Sequence, residues 1–97
     1  MKKFNFNQSA LELVNYVESV QSTFWQAEQG NFPNTWGGVN ALTKRVVKDI
    51  LNSMDLPYSK ELGSYVRFIV TFEYTNRYIE YKRSIVGLTI EDVVFGD

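Results

Sequence analysis

Tyr65-Val66-Arg67-Phe68-Ile69-Val70-Thr71-Phe72-Glu73-Tyr74 is the stretch on which the fold turns. Its even positions read Val, Phe, Val, Phe, Tyr, while the odd positions are mixed and more polar. Successive side chains of a β-strand point to opposite faces, so this alternation predicts a strand with one buried face. Asn76-Arg77 follows as a tight turn, since Asn tolerates positive φ better than most residues. A two-residue turn there sets Tyr74 opposite Ile79, Phe72 opposite Tyr81 and Phe68 opposite Ile85, and the apolar faces of both strands coincide. Glu73 then faces Glu80, which is unfavourable unless Lys82 or a partner's cation lies diagonally between them. A third strand is expected from Leu88 to Phe95, with Gly87 at the corner. Phe4 and Phe6 alternate with polar residues, which suggests a short edge strand over Lys3 to Asn7.

Upstream the period is 3.6. Ser9-Ala10-Leu11-Glu12 fits a capping box, in which Ser accepts from the backbone three residues on and Glu12 reaches back. Ala10, Leu13, Val17, Val20, Phe24 and Ala27 then fall on one helical stripe. With Gly30 as a left-handed residue just past the end, a helix is expected from Ser9 to Gln29. Gly30 to Gly38 is a loop by composition. A second helix, Val39 to Met54, sets Val39, Leu42, Val46, Ile50 and Met54 on one face, widened by Val47 and Leu51. Lys44, Arg45, Lys48 and Asp49 take the other side, and Asp55-Leu56-Pro57 stops the helix. The 97 residues are thus expected to form a single α+β domain of two layers. An antiparallel helical hairpin packs on a three-stranded antiparallel sheet, in the order ααβββ.

Composition narrows the function. The chain has no histidine and no cysteine, the side chains that most readily bind transition metals, shuttle protons near neutral pH or attack as soft nucleophiles. Aromatic residues make up 15% of it, as seven Phe, six Tyr and two Trp. A net charge of −1, with the signs interspersed, disfavours broad binding to nucleic acid or anionic membrane. No apolar run approaches a membrane span, and Met1-Lys2-Lys3 lacks the apolar stretch of a signal peptide. The expectation is a cytoplasmic protein without cofactor or metal.

Catalytic constellations are weak. Glu91-Asp92 is the only adjacent carboxylate pair, and on a strand the two point to opposite faces. Hydroxyls lack an activating base, no phosphate-cradling glycine motif occurs, and Ser59-Lys60-Glu61 reads as polar loop. The chain is expected not to be an enzyme.

Binding is the better fit. Tyr65, Arg67, Ile69 and Thr71, beside Tyr78 and Lys82, would form the outer sheet face, and Tyr and Arg are enriched at interface hot spots. The plain alternative is that cross-strand pairs there only stabilise an exposed sheet. Phe32 and Trp36 either seal the end of the helical hairpin, the commoner fate of large apolar side chains, or project as secondary anchors. The same face also suits a homodimer, with an edge strand or the outer sheet pairing across a two-fold axis. A nucleic-acid reading rests on Lys44, Arg45 and Lys48, with Arg67, Lys82 and Arg83 beside tyrosines. Acidic residues in the same segments weigh against it. A helix–turn–helix is disfavoured by the long Gly/Pro-rich link. By type alone, the chain fits a small intracellular inhibitor or adaptor that masks a protein partner, as anti-CRISPR, anti-restriction and toxin-immunity proteins do. A nucleic-acid-binding accessory protein is the alternative.

Overall fold

Ile69 decides the architecture. The alternating pattern puts it on the outer face of a strand, yet in the computed structural model, which describes residues 4–72 and 75–96, it is fully buried. Phe72, expected in the core, is 47% exposed. The segment is an α-helix, α3, spanning Lys60–Phe72. Val66 and Val70 satisfy both periods. Leu62, Val66, Ile69 and Val70 together form a helical stripe, and all four are buried. Burying each is worth about 1.5–3 kcal/mol, enough to override β-branched preferences. Ser59 caps the helix: its Oγ accepts from the Leu62 N–H at 3.1 Å and its carbonyl from the Gly63 N–H at 2.8 Å.

The expected sheet is therefore absent among the described residues, and the fold is all-helical. The predicted turn at Asn76-Arg77 is the start of a further helix, α4, Asn76–Ser84. Phe68 does meet Tyr81, edge-on with ring centroids 5.0 Å apart, but across two helices. The Glu73–Glu80 and Tyr74–Ile79 pairings lie outside the described residues. The third strand, Leu88 to Phe95, reduces to one antiparallel bridge between Ser9 and Thr89, followed by a π-helical turn, Glu91–Phe95. Gly87 does mark the corner, with φ +87°.

Both leading helices form as expected. α1 spans Ala10–Glu28, capped by Ser9, whose Oγ accepts from the Glu12 N–H at 3.3 Å. Ala10, Leu13, Val14 and Val17 are its buried face, with Gln21 continuing the line. Gly30 is not a left-handed cap; it lies in a 3₁₀ turn, Gln29–Asn31, that finishes the helix. α2 spans Trp36–Ser53 and starts a turn earlier than expected, because Thr35 Oγ1 accepts from the Gly38 N–H at 3.1 Å. At its other end Asp55 turns left-handed, φ 60°, and the Leu56 N–H returns to the Leu51 carbonyl at 3.2 Å.

α1 packs on α2 and α3, which also pack on each other. The C-terminal segment closes the bundle by backbone bonds: Ala10 to Leu88 at 2.9 Å, Ile90 to Gln8 at 2.9 Å and Glu91 to Phe6 at 2.8 Å. The Phe4–Phe6 region is accordingly a turn pinned to the bundle, with Phe4 buried, and not an edge strand. No described helix is long and apolar enough to cross a membrane.

Candidate functional site

With no sheet, the expected outer face does not exist, and its residues scatter. Tyr65 is half-buried between α3 and α4, its hydroxyl bonded to that of Tyr81, with Phe68 beside both rings. Burial and that bond push the Tyr65 phenol far above its ordinary range, and burial raises Tyr81 too. Tyr78 is core: its hydroxyl donates to Glu18 Oε2 at 2.6 Å. Lys82 pairs with the same Glu18 at 3.0 Å. Arg67 stays exposed, donating to Asn40 Oδ1 of α2 at 3.3 Å, and so does Thr71, whose hydroxyl donates to the Arg67 carbonyl at 2.9 Å. A strand-paired homodimer loses its basis, since no sheet edge exists among the described residues.

The loop before α2 divides in its two expected roles. Phe32 seals: it packs half-buried against the core. Trp36 projects, 84% exposed, from the first turn of α2. Its position is set by its neighbours. A Cβ at Gly38 would stand 1.9 Å from the Pro33 carbonyl oxygen, so only glycine lets the loop lie this close to the helix. Beside Trp36, Val39 joins Trp25, Gln29, Phe32, Pro33, Asn34 and Leu42 around a cleft of about 330 Å³. Trp25 and Gln29 also border a wider cleft of about 450 Å³ along α1, lined further by Gln21, Ser22, Gln26 and Val70. Trp25 was not singled out by sequence, although its place next to Phe24 on the edge of the α1 stripe marked it as half-buried.

The basic residues sort by partner. Arg45 Nε binds Glu28 Oε2 at 3.0 Å and lies 3.5 Å from Asp49. Hydrogen bonding to Asp49 first, and to Arg45 second, holds Glu28 below its ordinary value, while burial, reinforced by the neighbouring Glu28, pushes Asp49 up to about 6. Lys44 and Lys48 have no carboxylate partner among the described residues. Lys48 Nζ lies 5.5 Å from the ring centroid of Tyr58, a residue that follows the Asp55-Leu56-Pro57 helix stop and belongs to no sequence motif. Lys44, Arg67, Tyr58, Gly63, Ser64 and Val47 line one narrow cleft of about 70 Å³ between α2 and α3.

Glu91 and Asp92 are not strand residues. Asp92 Oδ2 accepts from the Thr89 N–H at 2.9 Å and Thr89 Oγ1 from the Asp92 N–H at 3.1 Å, a reciprocal cap. No group of three or more Asp or Glu side chains able to hold a metal ion occurs among the described residues. Compared with known protein families, curated proteins and solved structures, the chain matches none.

Proposed function

We propose that this chain is a non-catalytic protein-docking module, an inhibitor or adaptor, with Trp36 as its principal anchor. The observation that carries this reading is an 84% exposed tryptophan on a capped, glycine-clamped helix start. Tryptophan is seldom left this exposed, and it leads the residues that dominate binding energies. Covering its free surface is worth on the order of 4 kcal/mol, and the rigid mount lowers the ordering cost of doing so. The adjoining cleft, floored by Phe32, Trp25 and Leu42, offers room for a partner's apolar side chain. A chain without cysteine needs no oxidising compartment, which supports action in the cytoplasm. The expected surface thus moves from Tyr65, Arg67 and Tyr78 to the Trp36 end.

The test compares affinity capture by wild type and by Trp36→Ala from the lysate of the native host. A protein retained by wild type and lost by the variant, with unchanged melting temperature, supports the reading. Identical captures by both, or nothing captured by either, overturn it.

A further inference from the structure

We infer that the seam between α2 and α3 is a second, independent site, which binds single-stranded nucleic acid with Tyr58 as a stacking platform. Lys44 and Arg67 line the seam's cleft, Lys48 the adjoining one across Tyr58, and Lys60 starts the same face of α3. Lys44 and Lys48 are one helical turn apart on α2, about 6 Å by helical rise. Lys60 and Arg67 share a face of α3 with Ser64, at spacings of four and three residues. None of these four has a carboxylate partner among the described residues, whereas Arg45 and Lys82 are neutralised by Glu28, Asp49 and Glu18. Glu61, the acidic residue nearest in sequence on α3, falls on the adjoining stripe with Tyr65 and Phe68. Arg77 and Arg83 of α4 also lack a carboxylate partner among the described residues, but the seam holds four such cations beside an exposed aromatic ring.

Tyr58 lies within that line, 53% exposed. Its ring is laid down against α3 because residue 63 has no side chain: a Cβ there would be 2.9 Å from Tyr58 Cε2. Lys48 sits loosely over the ring at 5.5 Å. An exposed aromatic face fixed among unpaired lysine and arginine is the combination that single-strand binders use, bases on the ring and phosphates on the cations. Phosphate contacts alone would not need the ring, whereas stacked bases would use it together with the cations. This inference does not rest on the Trp36 reading, and Trp36→Ala should leave it intact.

The experiment is fluorescence anisotropy of a labelled oligothymidylate of about 12 nucleotides, within the site sizes of such binders, titrated with the full chain over a salt series. Log affinity should fall against log salt with a slope of about −2 to −3, for three or four phosphates. Lys44→Ala with Arg67→Ala should weaken binding at least tenfold and flatten the slope by about 1.4. Tyr58→Ala should weaken it roughly tenfold while Tyr58→Phe retains it. Arg45→Ala and Lys82→Ala should bind as wild type. No binding at low salt overturns the inference. So does equal loss in Arg45→Ala, which means diffuse charge, or tighter binding to duplex DNA, heparin or anionic vesicles that ignores Tyr58→Ala. Far-UV circular dichroism confirms that each variant is folded.

Discussion

The phenol of Tyr78 donates to Glu18 at 2.6 Å, and Lys82 reaches the same carboxylate at 3.0 Å, tying α4 to α1 across 60 residues of chain. Tyr78 is the only fully buried residue of α4, so this contact, together with the Tyr81 cluster against α3, sets where the helix lies. A hydrogen bond to a charged acceptor is worth about 1.5–3 kcal/mol. Tyr78→Phe should lower the unfolding free energy by that amount in urea titration, a shift of several degrees in melting temperature for a domain of this size. Tyr78→Ala, which also empties the ring's site, should cost about 3–5 kcal/mol. A Tyr78→Phe variant as stable as wild type would show that the bond contributes nothing.

Glycines 37 and 38 are neighbours with opposite demands. A Cβ at Gly38 meets the Pro33 carbonyl oxygen at 1.9 Å, whereas one at Gly37 meets nothing within 4 Å. Both lie in the first turn of α2, where alanine is otherwise the better helix former. Gly37→Ala should therefore stabilise by about 0.4–1 kcal/mol through the unfolded chain. Gly38→Ala should destabilise by about 1–3 kcal/mol, because the Phe32–Pro33 loop has to move away. Melting temperatures shifting in the same direction for both would contradict the close approach at Pro33.

The first half of the chain was legible because its signals are local. Ser9, the α1 stripe, the α2 stripe and the stop at Asp55-Leu56-Pro57 all lie within a turn or two of what they control. The second half was not, because Val66 and Val70 fit a period of 2 and a period of 3.6 equally well. The residues that separate the two are Ile69 and Phe72, together with Leu62, which lies upstream of the alternating run. Leu62 and the Ser59 cap extend the helical stripe to a third turn, and both lie upstream of the alternating run that begins at Tyr65. At the candidate sites, Trp36 and the lysines of α2 were visible as residue types. Which cations are free was not, since Arg45 meets Glu28 across 17 residues and Lys82 meets Glu18 across 64. Tyr58 gave no periodic signal; only a glycine five residues later prepares its site.

Asp49 should make stability depend on pH in a direction that can be checked. Burial, reinforced by the Glu28 carboxylate and opposed by Arg45, pushes its carboxyl up to about 6 from an ordinary 3.8. Between those values the folded chain holds a proton that the unfolded chain has released, so this group's stabilisation is lost as pH rises through about 6. Glu28 is held below its ordinary value, and its contribution is lost instead as pH falls. Asp49→Asn cannot ionise and should gain on wild type as pH climbs from about 5 to about 7. The difference between the two melting temperatures at each pH isolates the effect; a constant difference would count against the raised carboxyl.

Tyr65 and Tyr81 are bonded hydroxyl to hydroxyl in the aromatic cluster between α3 and α4. Burial raises both phenols above the ordinary value of 10.0, and the bond to Tyr81 raises Tyr65 further. The folded chain keeps these protons where the unfolded chain sheds them, so the stability they contribute is present below pH 10.0 and lost above it. Phenolate absorbance during alkaline titration should show the two ionising only as the protein unfolds. Tyr65→Phe alone leaves the Tyr81 hydroxyl without its partner in a half-buried site and should destabilise. Tyr65→Phe with Tyr81→Phe removes both polar groups, which is close to neutral for a matched pair. The double variant should therefore be more stable than the single one and should unfold at higher pH than wild type. If the single variant is the more stable of the two, the hydroxyl pair does not hold the cluster together.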